Sequence, residues 1–329
     1  MIPNSTPAPW TKNIPPARDR LQSRLLVWIV APILCYLALD TVRQFIGAGE
    51  YARADLTKAL AISLIFALVA WCLKAATPLA AWCGGTICLL ITESWQRLFV
   101  LDLQHGEFQP SISHSTLTPL ILLFLLTFAA TRLGRGKRNS AGLGESRSGR
   151  NAAQVVANLG IAALLGQHWS LYLFAWIGYS TTMAGQVSSV AGYSVIFLVP
   201  MLAALAEATA DTVSSEIGQA FGGTPFMLTT LCRVPPGTDG AISLYGTLAG
   251  IAAAALIAAT GAPAMGMSPA ECLVAFAAGV SGLFFDSLLG ATLERRGWLG
   301  NDLVNFISTA FAAGIALLAI RFGQDHLLH

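Results

Sequence analysis

Charge is what this sequence has least of. Only 11% of its 329 residues are charged, while 55% are hydrophobic. Soluble domains carry roughly 25% charged residues, so the deficit excludes an ordinary water-soluble chain. The net charge of +2 offers little to a polyanion, which argues against nucleic acid as a partner. Metal and redox motifs are missing too. The six cysteines (Cys35, Cys72, Cys83, Cys88, Cys232, Cys272) lie mostly in apolar runs and form no CxxC pair, so they read as small core residues. The five histidines show no metal-ligand spacing. Residues 1–24 are Pro-rich and basic and lack the apolar core and cleavage site of a signal peptide, so they read as a cytoplasmic tail. The stretch from Gly144 to Asn151 has the GxxxxG spacing of a phosphate loop. It lacks the Lys and Ser/Thr, and no strand precedes it, so that motif is rejected.

What is present is a series of apolar runs long enough to span a bilayer, which takes about 20 residues each. The runs 25–46, 57–76, 78–97 and 115–134 give four crossings in an N-terminal half, 25–134. Next comes a Gly- and Ser-rich basic loop, 135–150. Arg132, Arg135, Lys137, Arg138, Arg147 and Arg150 cluster there, which places it in the cytoplasm by the positive-inside rule. The second half, 151–329, has runs at 152–166, 169–186, 191–221, 241–260, 270–293 and 302–321. If the polar segment 222–240 is also cytoplasmic, an even number of crossings must separate it from the basic loop, yet three runs lie between. The run 152–166 is short and carries Gln154 and Asn158, so it is expected to be re-entrant or interfacial. The expectation is an all-α polytopic membrane protein of about nine transmembrane helices.

Two acids stand where acids are expensive. Asp211 ends an apolar run from Val195, and Asp286 follows Val280-Ser281-Gly282-Leu283-Phe284-Phe285. A charge at a helix centre costs about 2.5–3.5 kcal/mol on insertion scales, so such a residue usually has a partner or a task. Ala278, Gly282, Asp286 and Gly290 recur every fourth residue and share a protein-facing stripe. Asp211, Ser215 and Gly218 share a face, with Glu216 about 140° away. The alternative for each acid is a buried carboxyl bonded to a helix end.

Between the acids lies Arg233-Val234-Pro235-Pro236-Gly237-Thr238-Asp239-Gly240-Ala241-Ile242-Ser243. Pro-Pro-Gly and Asp-Gly form tight turns. Gly237 and Gly240 let backbone approach an anion, and Arg233 offers a planar fork to phosphate. Ser243 opens the next helix, whose first N–H groups point into the loop. This is the pattern of a phosphate cradle; the plain alternative is a loop with one snorkelling arginine. Asp211 and Asp286, with Glu216 as a third, then fit as Mg²⁺ ligands, because magnesium bridges a few carboxylates to substrate phosphates. Asn301, Asn305 and Ser308 share a face of the last span; Asn301 reads as a helix cap, while Asn305 and Ser308 lie deeper and are placed to reach the same cleft.

These blocks resemble an integral-membrane family that contains plant phytyl-phosphate kinase and animal transmembrane protein nineteen. The resemblance is carried by 149–155, by Ala210-Asp211-Thr212 through Ser215-Glu216-Ile217-Gly218, by 233–240 with Ser243, by Asp286-Ser287-Leu288-Leu289-Gly290, and by Asn301-Asp302 with Asn305. Val213-Ser214 stands where the family commonly has Trp-Ala, and Asp239-Gly240-Ala241 where it has Asn-Gly-Gly. The block order is also distantly similar to CTP-using polyprenol kinases and CDP-diacylglycerol synthases. The resemblance implies an enzyme that phosphorylates a prenyl monophosphate, with CTP or another nucleoside triphosphate as donor and Mg²⁺ as cofactor. It implies Asp211, Arg233 and Asp286 as catalytic groups, and Ser215, Gly218, Gly237, Thr238, Asp239, Gly240, Ser243, Ser287 and Asn305 as binding groups. Its competitors are a cytidylyltransferase that makes a CDP-lipid and a non-enzymatic lipid-phosphate transporter. A bacterial inner membrane with the N-terminus cytoplasmic is expected, and a homo-oligomer is allowed.

Overall fold

A computed structural model describes residues 14–47, 50–101, 116–140, 149–167 and 190–325. The expected run 169–186, residues 141–148 of the basic loop and the first 13 residues lie outside the described residues. Nine α-helices are seen among the described residues: α1 (Pro16–Gly47), α2 (Glu50–Cys72), α3 (Pro78–Leu101), α4 (Leu117–Ser140), α5 (Ala152–Leu165), α6 (Val190–Phe221), α7 (Leu244–Ala264), α8 (Pro269–Leu289) and α9 (Asn301–Asp325). Seven are long and apolar enough to cross a membrane, and α5 and the described part of α3 are shorter apolar helices. The protein is an all-α polytopic membrane protein. Among the described residues the sheet content is one two-residue antiparallel pair, β1 (Phe226–Met227) with β2 (Ala241–Ile242).

Helix α6 is the axis of the bundle. Of its best apolar window 89% is buried, against 22–39% for the other spans, and α4, α5, α7, α8 and α9 pack round it. Small residues allow the close approach. A Cβ on Gly250 of α7 would stand 2.8 Å from the Ala210 carbonyl, and one on Gly279 of α8 would stand 2.8 Å from the Ala206 methyl. Helices α1, α2 and α3 present Trp28, Tyr36, Leu64, Trp71 and Trp82 outward, as a lipid-facing surface requires.

Hydrogen bonds between distant segments sort the helix ends into two sets. At one end Arg18 donates to the Gly297 carbonyl (2.9 Å), Gln22 to that of Trp298 (2.8 Å), and the Ser23 hydroxyl to Asp302 (2.6 Å). Here too the Thr77 N–H meets the Arg150 carbonyl (2.9 Å), and Arg132 caps the Leu73 carbonyl (2.7 Å). Toward the other end Gln167 donates to Leu90 (2.8 Å) and Thr116 to Ile91 (2.9 Å).

Two sequence expectations change. Residues 16–24, read as tail, are the first turns of α1, held by these polar contacts to 297–302. The run 152–166 is not interfacial: α5 is buried against α1, α3, α6 and α9, and its 14 residues fall short of a full span, in keeping with the re-entrant alternative. It starts at the first end, capped by Asn151 and Gln154 in a reciprocal capping box. It leads away from that end and α6 returns to it.

Candidate active site

At the first end a polar cleft of about 220 Å³ opens between α5, α6, α8, α9 and the loop 222–243. The chain builds it one element at a time. Helix α6 brings Asp211, Thr212, Ser215, Glu216 and Gly218, which lie on the turns just before it ends at Phe221. Helix α8 brings Asp286 and Ser287, followed by a π-helical turn, Gly290–Glu294, of the kind that often marks a functional site. Helix α9 brings Asn301 and Asn305, and α5 brings Gln154 and Asn158.

The roof is the glycine loop. Thr238 N–H reaches the Pro235 carbonyl (3.4 Å), with Gly237 at φ 82° in the third position of the turn. A second turn follows, closed by Ala241 N–H on the Thr238 carbonyl (3.1 Å), with Gly240 at φ 72°. Both glycines occupy the left-handed region that other residues avoid. Gly240 also presses on the Gly290–Ala291 backbone, leaving no room for a Cβ. The β1–β2 pair ties the two ends of this loop together and so fixes the turns over the cleft. Ser243 caps α7, its hydroxyl accepting from Gly246 N–H (3.2 Å). The first N–H groups of α7 thus stand at the cleft edge, where a helix favours an anion.

The floor is a network of polar groups. The Ser308 hydroxyl lies 3.1 Å from Asp286 Oδ2 and 3.0 Å from the Asn305 carbonyl. Asn305 donates to Asn158 Oδ1 (3.1 Å), joining α9 to α5. Asp286 lies in electrostatic range of Asp211, Glu207 and Glu294. One oxygen of Glu216 accepts from Thr131 of α4 (3.2 Å).

Every sequence-named site residue but one lines this cleft: Asp211, Asp286, Glu216, Ser215, Gly218, Gly237, Thr238, Asp239, Gly240, Ser243, Ser287 and Asn305. The exception is Arg233. The segment 226–233 folds back on itself, Arg233 bridges to the Phe226 backbone, and its exposed guanidinium lies over the Phe226 ring (5.8 Å). The arginine in the cleft is Arg150, which donates to Thr212 Oγ1 (3.2 Å) and faces the charge of Asp211. The small-residue stripe on α8 faces protein: Gly279 and Gly282 seat Ala206 and Glu207 of α6.

Glu207 is the residue that sequence reasoning missed. It is 1% exposed, and neither carboxylate oxygen has a hydrogen-bond partner. Ser308 is near enough to interact, but its single proton is already directed at Asp286 or Asn305. The signal was there: Glu207 stands one helical turn before Asp211, inside the same apolar run.

Among the described residues no three His, Cys, Asp or Glu side chains are preassembled round a metal position. A magnesium site does not need that. Mg²⁺ takes one or two carboxylates and completes its shell with water and substrate phosphate. The paired Asp211 and Asp286, among hydroxyl and amide oxygens, are hard donors of that kind.

The sequence matches the family model described as integral membrane protein DUF92 over residues 110–313. The chloroplastic protein VTE6 of Arabidopsis thaliana is 32% identical over 202 residues, which is 60% of this chain and 56% of that protein. This chain thus matches little more than half the length of that relative. The uncharacterized membrane protein sll0875 of Synechocystis is 31% identical over 60% of this chain and 71% of its own. The uncharacterized membrane protein MJ0933 of Methanocaldococcus jannaschii is 34% identical over 60% and 74%. No solved structure matches. With more than half of its length inside the family model and its clustered polar residues within that span, this chain belongs to the DUF92 family of integral membrane proteins.

Proposed function

We propose that the protein is a membrane phosphotransferase that converts a prenyl monophosphate to the diphosphate, with CTP or another nucleoside triphosphate as donor. One observation carries the reading. Two membrane-depth carboxylates, Asp211 and Asp286, face a glycine turn, a helix N-terminus and Arg150 across a single cleft. Phosphoryl transfer asks for alignment and charge neutralisation more than for a special nucleophile.

In this reading the turns at Gly237 and Gly240 and the start of α7 hold the donor phosphates by backbone N–H groups. Asp211 and Asp286 would hold Mg²⁺, and the chemistry it would supply there is neutralisation of phosphate charge. Arg150 offsets the repulsion between two anions. The acceptor is already ionised, so no base is needed. An acceptor phosphate oxygen bonds to the donor's terminal phosphorus, the bridging P–O bond breaks, and the nucleoside diphosphate leaves with that electron pair. Ser308 and Asn305 fix the rotamer of Asp286.

The cleft end faces the cytoplasm, where nucleotides are. Ten cations with described side chains lie at that end: Arg18, Arg20, Arg24, Lys74, Arg132, Arg135, Arg150, Arg233, Arg295 and Arg296. Four lie toward the other: Arg43, Arg53, Lys58 and Arg321. By the positive-inside rule that asymmetry supports the reading that the start of α1 is cytoplasmic.

Purified protein with Mg²⁺, CTP and farnesyl monophosphate should release CDP and farnesyl diphosphate in equal amounts. Pyrophosphate with a CDP-lipid would replace this reading by a cytidylyltransferase. Lipid-phosphate movement without nucleotide turnover would replace it by a transporter.

A further inference from the structure

A second cavity, of about 130 Å³, lies beside the acidic cleft, between α2, α3, α4 and α5. Its chemistry is the reverse of the first. The cleft is lined by five acids, Asp211, Glu216, Asp239, Asp286 and Glu294, and one cation. The second cavity is lined by four cations, Lys74, Arg132, Arg135 and Arg150, and no acid. The rest of its wall is mostly hydrocarbon. The Phe66 and Phe124 rings meet edge to face (5.2 Å), Phe124 stacks along α4 with Phe128 (5.8 Å), and the Arg132 guanidinium sits over Phe128 (4.7 Å). An aromatic wall thus runs from the apolar interior to the basic mouth. Arg150 and Asn158 line both cavities and form the partition between them.

The partition is built rather than accidental. Gly149 has φ 80°, and a Cβ there would strike the Lys74 and Ala75 carbonyls at 2.6–2.7 Å. Arg150 is then pinned to the α2–α3 turn by two backbone bonds, to Ala75 and Thr77 (both 2.9 Å). The guanidinium is left between an anion-attracting chamber and Asp211.

We propose that this second cavity is the acceptor chamber, which holds a single-chain isoprenoid phosphate. Its hydrocarbon lies against Phe66, Phe124 and Phe128, and its phosphate lies at Arg135 and Arg150, next to the cleft. The assignment rests on the phosphotransferase reading for its role, though not for its chemistry. An apolar body under a cationic rim fits an amphiphilic anion. The volume takes only the phosphate-proximal part of one chain, because cavities of about 150 Å³ hold a benzene-sized group, and two acyl chains side by side are excluded.

Gly84 of α3 gives the test. It lines the chamber, and a Cβ there would meet nothing closer than a Val155 methyl at 4.0 Å. A Gly84→Leu side chain grows into the chamber. Binding of farnesyl monophosphate to the purified full chain is measured without nucleotide, and binding of Mg²⁺–CTP separately. Gly84→Leu should weaken farnesyl monophosphate by at least about tenfold and leave CTP affinity unchanged. Arg135→Gln should weaken farnesyl monophosphate similarly but leave farnesol binding untouched, and it serves if the Leu variant does not fold. Thr86→Leu, outside the chamber, should change neither. With turnover, the loss should appear in the acceptor KM rather than in kcat.

Unchanged acceptor binding and KM in both variants overturns the chamber while the kinase reading stands. Binding lost in both variants, with no nucleotide turnover in the wild type, keeps the chamber and removes the kinase. Equal binding of phosphatidate, or no wild-type binding of farnesyl monophosphate, overturns the single-chain assignment.

Discussion

Asp286 shows how much of this site is decided by single groups. Its carboxylate touches Ser308, lies in range of three other acids and lines the cleft. Asp286→Asn keeps the shape and removes the charge. Turnover should fall by at least roughly a hundredfold, the scale of losing one preorganised electrostatic contact. Asp211→Asn should behave alike, and a rate within a few-fold of wild type would remove either residue from the chemistry. Glu207 allows a sharper forecast. A buried carboxyl without a partner is a stability cost of about 1–3 kcal/mol. Glu207→Met fills the same volume without that cost, so the thermal midpoint should rise by a few degrees. Its electrostatic interaction with Asp286 is lost, and turnover should drop by about tenfold, with a higher Mg²⁺ requirement. A variant that is more stable and fully active would make Glu207 a bystander.

At the scale of elements, the site depends on how closely α6, α7 and α8 approach. A Cβ on Gly250 would stand 2.8 Å from the Ala210 carbonyl and one on Gly282 2.5 Å from the Glu207 Cγ, closer than van der Waals contact allows. A leucine at either should cost about 1–3 kcal/mol by overpacking, read as a lower thermal midpoint. Gly84→Ala has open space and should leave stability unchanged. The loop 222–243 is a second such element. Gly240→Ala must push the Asp239–Gly240 turn off the Gly290–Ala291 backbone. The nucleotide KM should rise by about tenfold or more, with the acceptor KM little changed, because the turn holds only the donor phosphates in this scheme.

For the whole molecule, the sorting of helix ends makes orientation measurable. Cys232 is an exposed thiol on the cleft-end loop. In a variant that keeps only this cysteine, a membrane-impermeant maleimide should label inside-out vesicles and spare right-side-out ones. The opposite pattern would place the cleft outside and remove cytoplasmic nucleotide as the donor.

Much of this architecture was legible in the chain. Bilayer thickness fixes the length of an apolar run, so the spans before the basic loop and after residue 190 could be read directly. The cost of charge in hydrocarbon singled out Asp211 and Asp286. Glycine is the residue that tolerates positive φ, so the Pro-Pro-Gly and Asp-Gly turns were visible as turns. Other decisions needed the fold. Arg233 is closer in sequence to the glycine turns than Arg150, yet the β1–β2 pairing turns Arg233 outward and the α2–α3 turn holds Arg150 inward. The stripe on α8 reads as protein-facing, and the fold decides that its partner is α6. The short run 152–166 cannot announce whether it lies at an interface or at the centre, because burial depends on neighbours far along the chain. The sequence by itself determined which residues are expensive and where the chain must turn, since both are local consequences of side-chain and backbone chemistry. Only the tertiary structure decided which arginine meets the acids and where an apolar chain finds room, because both depend on which helix faces close against one another.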